Sequence, residues 1–190
     1  MSDLTDIEIV RKVVGGDTEA FSEIVRRYQD RIFRFVYNQV GSYDEALDAS
    51  QDVFVQVLES LSSFRGESKF STWLYSVTSN YCKNHRRKRF RTRSVSISRG
   101  SAEEEYEIPL HDERECIEEK VLLNEMVEAV REEMSRLPED YRDILQLRDV
   151  EGLPYEEIAK ATGITLSNVK VRIHRGREML KKKMAERGLL

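Results

Sequence analysis

Apolar residues in this chain recur at steps of three and four, a period that belongs to helices rather than strands. Phe21, Ile24, Val25, Tyr28, Ile32, Phe35, Val36 and Val40 fall on one stripe of a single helix. Gly15-Gly16-Asp17 punctuates its start and Gly41 its end. A second helix opens at Ser42, where the hydroxyl and the Glu45 carboxylate three residues on can satisfy each other's free backbone N–H groups. Its apolar face is Ala46, Ala49, Val53, Phe54, Val57, Leu58 and Leu61. Residues 62–69, polar and containing Gly66, read as a loop, and a third helix follows through Trp73, Leu74, Val77 and Tyr81. With 3 Pro and 9 Gly in 190 residues, turn-forming residues are scarce, and the expectation is an all-α protein.

Periodicity lapses between Thr92 and Asp112, where Ser, Glu and Pro109 gather as in a linker. It returns with Leu123, Val127, Val130, Met134 and Leu137, and Pro138 suits the first turn of the next helix, whose inward face is Tyr141, Ile144 and Leu145. The chain thus divides into two small helical domains, residues 1–93 and 121–190, joined by a flexible acidic linker at 94–120.

Charge follows the same division. The net charge is -4, yet seven basic residues and no acidic one lie between Lys83 and Arg93, and eight basic residues lie between Lys170 and Arg187 against Glu178 and Glu186. Between them, nine acidic residues from Glu103 to Glu119 face a single Arg114. Phosphate affinity depends on such local clusters rather than on the sum. The acidic strap can compete with DNA for both cationic surfaces.

Residues 155–177 read YEEIAKATGITLSNVKVRIHRGR, a short helix, a tight turn and a second helix with a basic outer face. A helix-turn-helix needs a small residue where its helices cross, a residue tolerant of positive φ at the turn, and apolar anchors. Ala159, Gly163, and Ile164, Val169 and Ile173 supply them. Thr165 can cap the second helix, with Leu166 and Leu180 also buried. With Val169 and Ile173 inward, Ser167, Lys170, Val171, His174 and Arg175 form the face that enters a major groove. Arg172, Arg177 and Lys181 to Lys183 suit phosphates, which position without specifying. A solvated basic helix end is the plainer alternative.

With both halves considered, the chain resembles the extracytoplasmic-function sigma factors of the sigma-70 family. Residues 137–177 look like sigma region four, which reads the minus-thirty-five element, and residues 48–87, DASQDVFVQVLESLSSFRGESKFSTWLYSVTSNYCKNHRR, are similar to region two, which grips the polymerase and opens the minus-ten element. The resemblance implies a polymerase contact at Asp48, Gln51, Asp52, Phe54 and Val55, although Phe54 also reads as core. It implies a pocket for a flipped base at Phe64, Arg65, Gly66, Glu67 and Ser68, and strand contacts at Asn80, Lys83 and Asn84. In region four it implies a backbone contact at Arg148 and groove contacts at Lys170, Val171, His174 and Arg175, within a minus-thirty-five surface that also takes in Ser167 and Arg172. Trp73 lies on the apolar stripe and reads as core, with Tyr75 beside it. The family departures are Pro154, Thr165 and Val171.

The implied partners are bacterial RNA polymerase core, promoter DNA and an anti-sigma factor, with no enzyme activity, cofactor, metal or small-molecule substrate. No run approaches a membrane span and no secretory leader opens the chain, so the expected place is the cytoplasm, where Cys82 and Cys116 stay thiols. Two rivals remain. A one-component repressor or activator would need a dimer seam, and none is evident. A zinc enzyme would have to join Cys82 and His85 to His111 and Cys116 across the linker, with cations crowding His85.

Overall fold

The computed structural model describes the backbone of residues 4–93 and 117–189, and the side chains of residues 4–89 and 126–189. The N-terminal half comprises α1 (Asp6–Val14), α2 (Phe21–Val40), α3 (Tyr43–Ser60) and α4 (Phe70–Arg93). The C-terminal half comprises α5 (Ile117–Ser135), α6 (Glu139–Leu145), α7 (Tyr155–Thr162) and α8 (Leu166–Glu186). The described residues contain no strand. The acidic strap lies almost wholly outside them.

In the N-terminal half, α2 and α3 form a hairpin turned by Gly41, whose φ of 76° is the left-handed conformation that glycine adopts without a steric penalty. Alanines at 46 and 49 let the two helices approach closely, so Ile32, Phe35 and Val36 meet Val53 and Val57 in a fully buried layer. α4 closes this layer with Leu74 and Tyr75. α1 covers α2 with Ile9, Val10 and Val13.

α1 departs from the sequence reading, which began the helical pattern at Phe21. Its start carries a capping box: the Glu8 backbone N–H donates to Thr5 Oγ1 at 3.4 Å, and the Thr5 N–H donates to Glu8 Oε2 at 2.7 Å. The box expected at Ser42 is not formed. Ser42 holds the N-cap position but its side chain makes no capping bond, and the Glu45 carboxylate, the other half of the box, turns to Arg89 of α4, 2.7 Å away. A charge-assisted bond to guanidinium outweighs a bond to a backbone amide that water can also satisfy. Leu58, expected inside, is exposed.

In the C-terminal half, α6 runs into a wide π-type turn at Gln146–Val150 before reaching Gly152 and Pro154. α8 packs on α5, α6 and α7. The buried Glu133 of α5 anchors its far end through Arg187 at 3.4 Å and Lys183 at 3.9 Å. α6 comes close to α8 at Gly176, where an added Cβ would stand 3.1 Å from Leu145 Cδ1 and 3.4 Å from Tyr141 Cβ. Glycine in a helix interior costs about 1 kcal/mol relative to alanine, so its use here reflects the space α6 leaves. In Gly176→Ala the propensity gain offsets the tight contact, and stability should change little. Gly176→Val should cost about 1–3 kcal/mol by overpacking, read from urea unfolding of the two variants side by side.

Candidate functional sites

The helix-turn-helix is formed by α7 and α8. Gly163 ends α7 with φ of 71°, and Thr165 caps α8 by accepting from the Asn168 backbone N–H at 3.3 Å. Val169 and Ile173 are buried against the rest of the unit. On the opposite side of α8, Ser167, Lys170, Val171, His174 and Arg175 are all exposed, Val171 to 44%. An unpartnered valine beside cations on a helix surface fits contact with a thymine methyl. Of the remaining cations, Arg172 pairs with Asp140 at 3.3 Å, Arg177 with Asp149, and Lys183 with Glu133. Arg148 stacks over the Tyr155 ring at 4.9 Å and donates to the Leu153 carbonyl at 3.0 Å, fixing the turn that leads into α7.

A second surface runs along α3. Asp48, Gln51, Asp52 and Val55 are exposed, and Phe54 is half-buried, edge-on to Phe21 at 6.4 Å between centroids. Asp52 accepts from the Tyr81 hydroxyl at 2.7 Å, which fixes it relative to α4. Leu47 and Leu58 join Val55 as exposed apolar residues on the same helix. Sequence reading missed both. The signal was a second stripe, 47-51-55-58, legible once Ala46, Ala49, Val53 and Val57 are assigned to the core.

The third surface is the loop before α4 and the face of α4 itself. Phe64 is not free: it packs edge-on to Phe70 at 5.5 Å and against Trp73 at 5.6 Å, so it forms the floor of the loop. Arg65 and Gly66 are exposed above it, Gly66 with φ of 74°, and Ser68 is half-buried. Along α4, Asn80 and Asn84 face outward, while Lys83 is half-buried with its ammonium 3.8 Å from Asp143 of α6.

That contact belongs to a polar seam between the two halves. Gln39 Nε2 of α2 donates to Asp143 Oδ1 at 2.8 Å and to Gln146 Oε1 at 3.2 Å, and Arg86 of α4 donates to Gln39 Oε1. Arg86 also stands 2.5 Å from Glu139. Farther along, Glu151 accepts from Arg31 Nε at 3.1 Å and from the Tyr75 hydroxyl. Glu157 of α7 accepts from Thr72 at 2.7 Å and pairs with Lys69 at 3.2 Å, and Lys160 donates to the Glu67 carbonyl at 3.3 Å. The Glu151 and Asp143 side chains are each 4% exposed. Burial pushes the Asp143 carboxyl above its ordinary range, against the pull of Arg86 and Lys83.

Burial also drives the Cys82 thiol up to about 12, which makes it inert packing. His85 stacks on Tyr81 at 5.8 Å and faces Glu45 at 3.7 Å. His111 and Cys116, the other half of the zinc alternative, lie outside the described residues.

Comparison with known proteins joins these surfaces to a family. The Sigma-70 region 2 family matches residues 24–92, and the Sigma-70, region 4 family matches residues 127–180. The chain is 34% identical over 182 residues to the ECF RNA polymerase sigma-E factor of Haemophilus influenzae, covering 95% of this chain and 96% of that one. It is 36% identical over 188 residues to the RNA polymerase sigma-H factor of Pseudomonas aeruginosa, covering 93% and 92%. Its fold is similar to that of the sigma factor RpoE solved with the anti-sigma factor NepR from Bartonella quintana, with a TM-score of 0.69, 21% identity, and coverage of 87% and 96%. CnrH, solved with the cytosolic domain of CnrY, gives a TM-score of 0.66 at 18% identity, with coverage of 94% and 96%. A region-two helical bundle followed by a region-four helix-turn-helix, with identity of this extent over nearly the whole length, makes the chain a member of the extracytoplasmic-function sigma factors of the sigma-70 family, which direct RNA polymerase to promoters.

Proposed function

We propose that this sigma factor grips core polymerase through α3, reads the minus-thirty-five element with α8 and opens the minus-ten element with α4 and the loop before it. The observation that carries the reading is the outward face of α8, where Lys170, Val171, His174 and Arg175 stand exposed opposite buried Val169 and Ile173. A face made this way presents donors and a methyl-contacting side chain at groove depth. Ser167 sits at the helix start, and Arg172 can leave Asp140, to which it is only loosely tied at the surface, for a phosphate. Arg148 acts on the backbone through the turn it stiffens.

On α3, Asp48, Gln51 and Asp52 supply polar contacts around an apolar strip of Val55, Leu47 and Leu58, with Phe54 supporting the strip from within. Apolar centres with polar rims are the pattern of protein interfaces. In the loop, Arg65, Gly66 and Ser68 surround the space above Phe64, and Asn80, Lys83 and Asn84 continue that surface along α4. Unstacking a base costs a few kcal/mol, and a shaped polar pocket offsets it while selecting the base. Region two is assigned to residues 1–93, the linker to 94–120 and region four to 121–190; the family matches at 24–92 and 127–180 support that division.

The protein works beside polymerase in the cytoplasm, catalyses nothing itself, serves an alternative or stress-response regulon and answers to an anti-sigma factor. Of the structural neighbours above, the sigma factor RpoE was solved with such a regulator, the anti-sigma factor NepR.

Run-off transcription with sigma-free core polymerase on a genomic promoter library tests the whole reading: the chain should yield discrete transcripts, and their absence from every template overturns it. On a promoter so found, Lys170→Ala and Arg175→Ala should each cost about 1–3 kcal/mol, roughly 5- to 150-fold, in holoenzyme affinity. The phosphate-directed Lys181→Ala should weaken all templates alike and reduce the salt dependence. Val55→Asp with Leu58→Asp should weaken core binding by about 2 kcal/mol or more, measured by fluorescence anisotropy, and leave the thermal unfolding temperature unchanged because neither side chain is in the core.

A further inference from the structure

Along α4, Tyr81, His85 and Arg89 recur at steps of four and share one edge of the helix, and along α3 Glu45, Asp48 and Asp52 share an edge at steps of three and four. The two edges meet. The Tyr81 hydroxyl donates to Asp52 Oδ2 at 2.7 Å, His85 Nδ1 stands 3.7 Å from Glu45, and Arg89 Nη1 reaches both Glu45 oxygens, at 2.7 and 3.0 Å. Glu45 is half-buried between the helices, whereas Asp52 is exposed with Asp48, Gln51 and Val55 on the outside of α3.

Tyr81 is well placed to hold that carboxylate still. Its ring is partly buried against the core and stacks on His85 with 5.8 Å between centroids and 18° between planes, so the hydroxyl has little freedom. Burial, and next the bond to Asp52, push the phenol above its ordinary pKa, so it remains a donor at neutral pH. An aspartate left loose on a helix surface samples several rotamers and loses that freedom when a partner docks. A bond at Oδ2 removes the freedom beforehand and leaves the lone pairs of Oδ1 for the partner. Water could satisfy both groups almost as well, so the bond adds little to folding. Its larger effect is on where the charge points.

We infer that Tyr81 is a positioning residue for polymerase binding: its hydroxyl fixes the Asp52 carboxylate in the orientation that a cation of the core enzyme meets, given that α3 is the polymerase contact as proposed above. Asp44, Asp48 and Asp52, all exposed at steps of four, make this side of α3 anionic and select a cationic counterpart.

Tyr81→Phe removes one oxygen and keeps both the ring and the net charge. In the full-length protein it should weaken binding to sigma-free core polymerase by about two- to tenfold in fluorescence anisotropy, the range expected for one side chain that must be ordered on docking, with little change in thermal unfolding. Asp52→Ala should itself weaken core binding, and adding Tyr81→Phe to it should cost nothing further. A loss on Tyr81→Phe that is as large in the Asp52→Ala background as in the wild type overturns the positioning, because the hydroxyl then acts through the fold. So does a Tyr81→Phe that binds core as tightly as the wild type while Asp52→Ala does not. Arg89→Ala slackens the same two helices at Glu45 without touching Asp52, and a loss of core affinity equal to that of Tyr81→Phe overturns the positioning too. If Asp52→Ala and the combined Val55→Asp, Leu58→Asp variant both bind core as tightly as the wild type, the reading of α3 as the polymerase contact falls, and the role of Tyr81 with it.

Discussion

Burying a carboxylate is costly unless cations and donors surround it, and this chain buries Asp143 and Glu151 where its two halves meet. The cost is several kcal/mol per ion before compensation, comparable with the whole stability of a small domain. Compensation is uneven. Glu151 has a guanidinium and a phenol within bonding distance, whereas Asp143 has one amide at 2.8 Å and its cations only farther off, Lys83 at 3.8 Å and Arg86 at 3.9 Å. The seam therefore cannot be what holds either half folded. That task falls to the apolar layers, Ile32, Phe35 and Val53 in one half and Ile144, Ile158 and Ile173 in the other. The apolar residues of both halves also join in one buried cluster, so the polar seam works beside apolar contact rather than alone.

α4 shows how one helix can serve several surfaces. Leu74 and Tyr75 belong to the core, Thr72 and Arg86 to the seam, Tyr81 to the support of Asp52 on α3, and Asn80 and Asn84 to the outside. A period of 3.6 residues distributes 24 residues around the whole circumference, so every face is in use. Such a helix has little amphipathic contrast, which explains why its apolar stripe in the sequence was the shortest in the N-terminal half.

The all-α fold, the helix hairpin at Gly41 and the helix-turn-helix at Gly163 were legible because period, punctuation and capping agree at each place. α1 escaped because nine residues give only three core positions, Ile9, Val10 and Val13, too few for a period to register beside two glycines. At Ser42 the local motif was present and the tertiary structure overruled it, drawing Glu45 away to Arg89. The seam was illegible for a related reason. Gln39, Asp143 and Glu151 carry no sequence signature that marks a polar residue as buried, and their partners lie 104 or more residues distant for Gln39 with Asp143 and 120 for Arg31 with Glu151. Charge segregation singles out the acidic strap, which lies almost wholly outside the described residues, whereas the scattered carboxylates of the seam are brought to their cations only by folding.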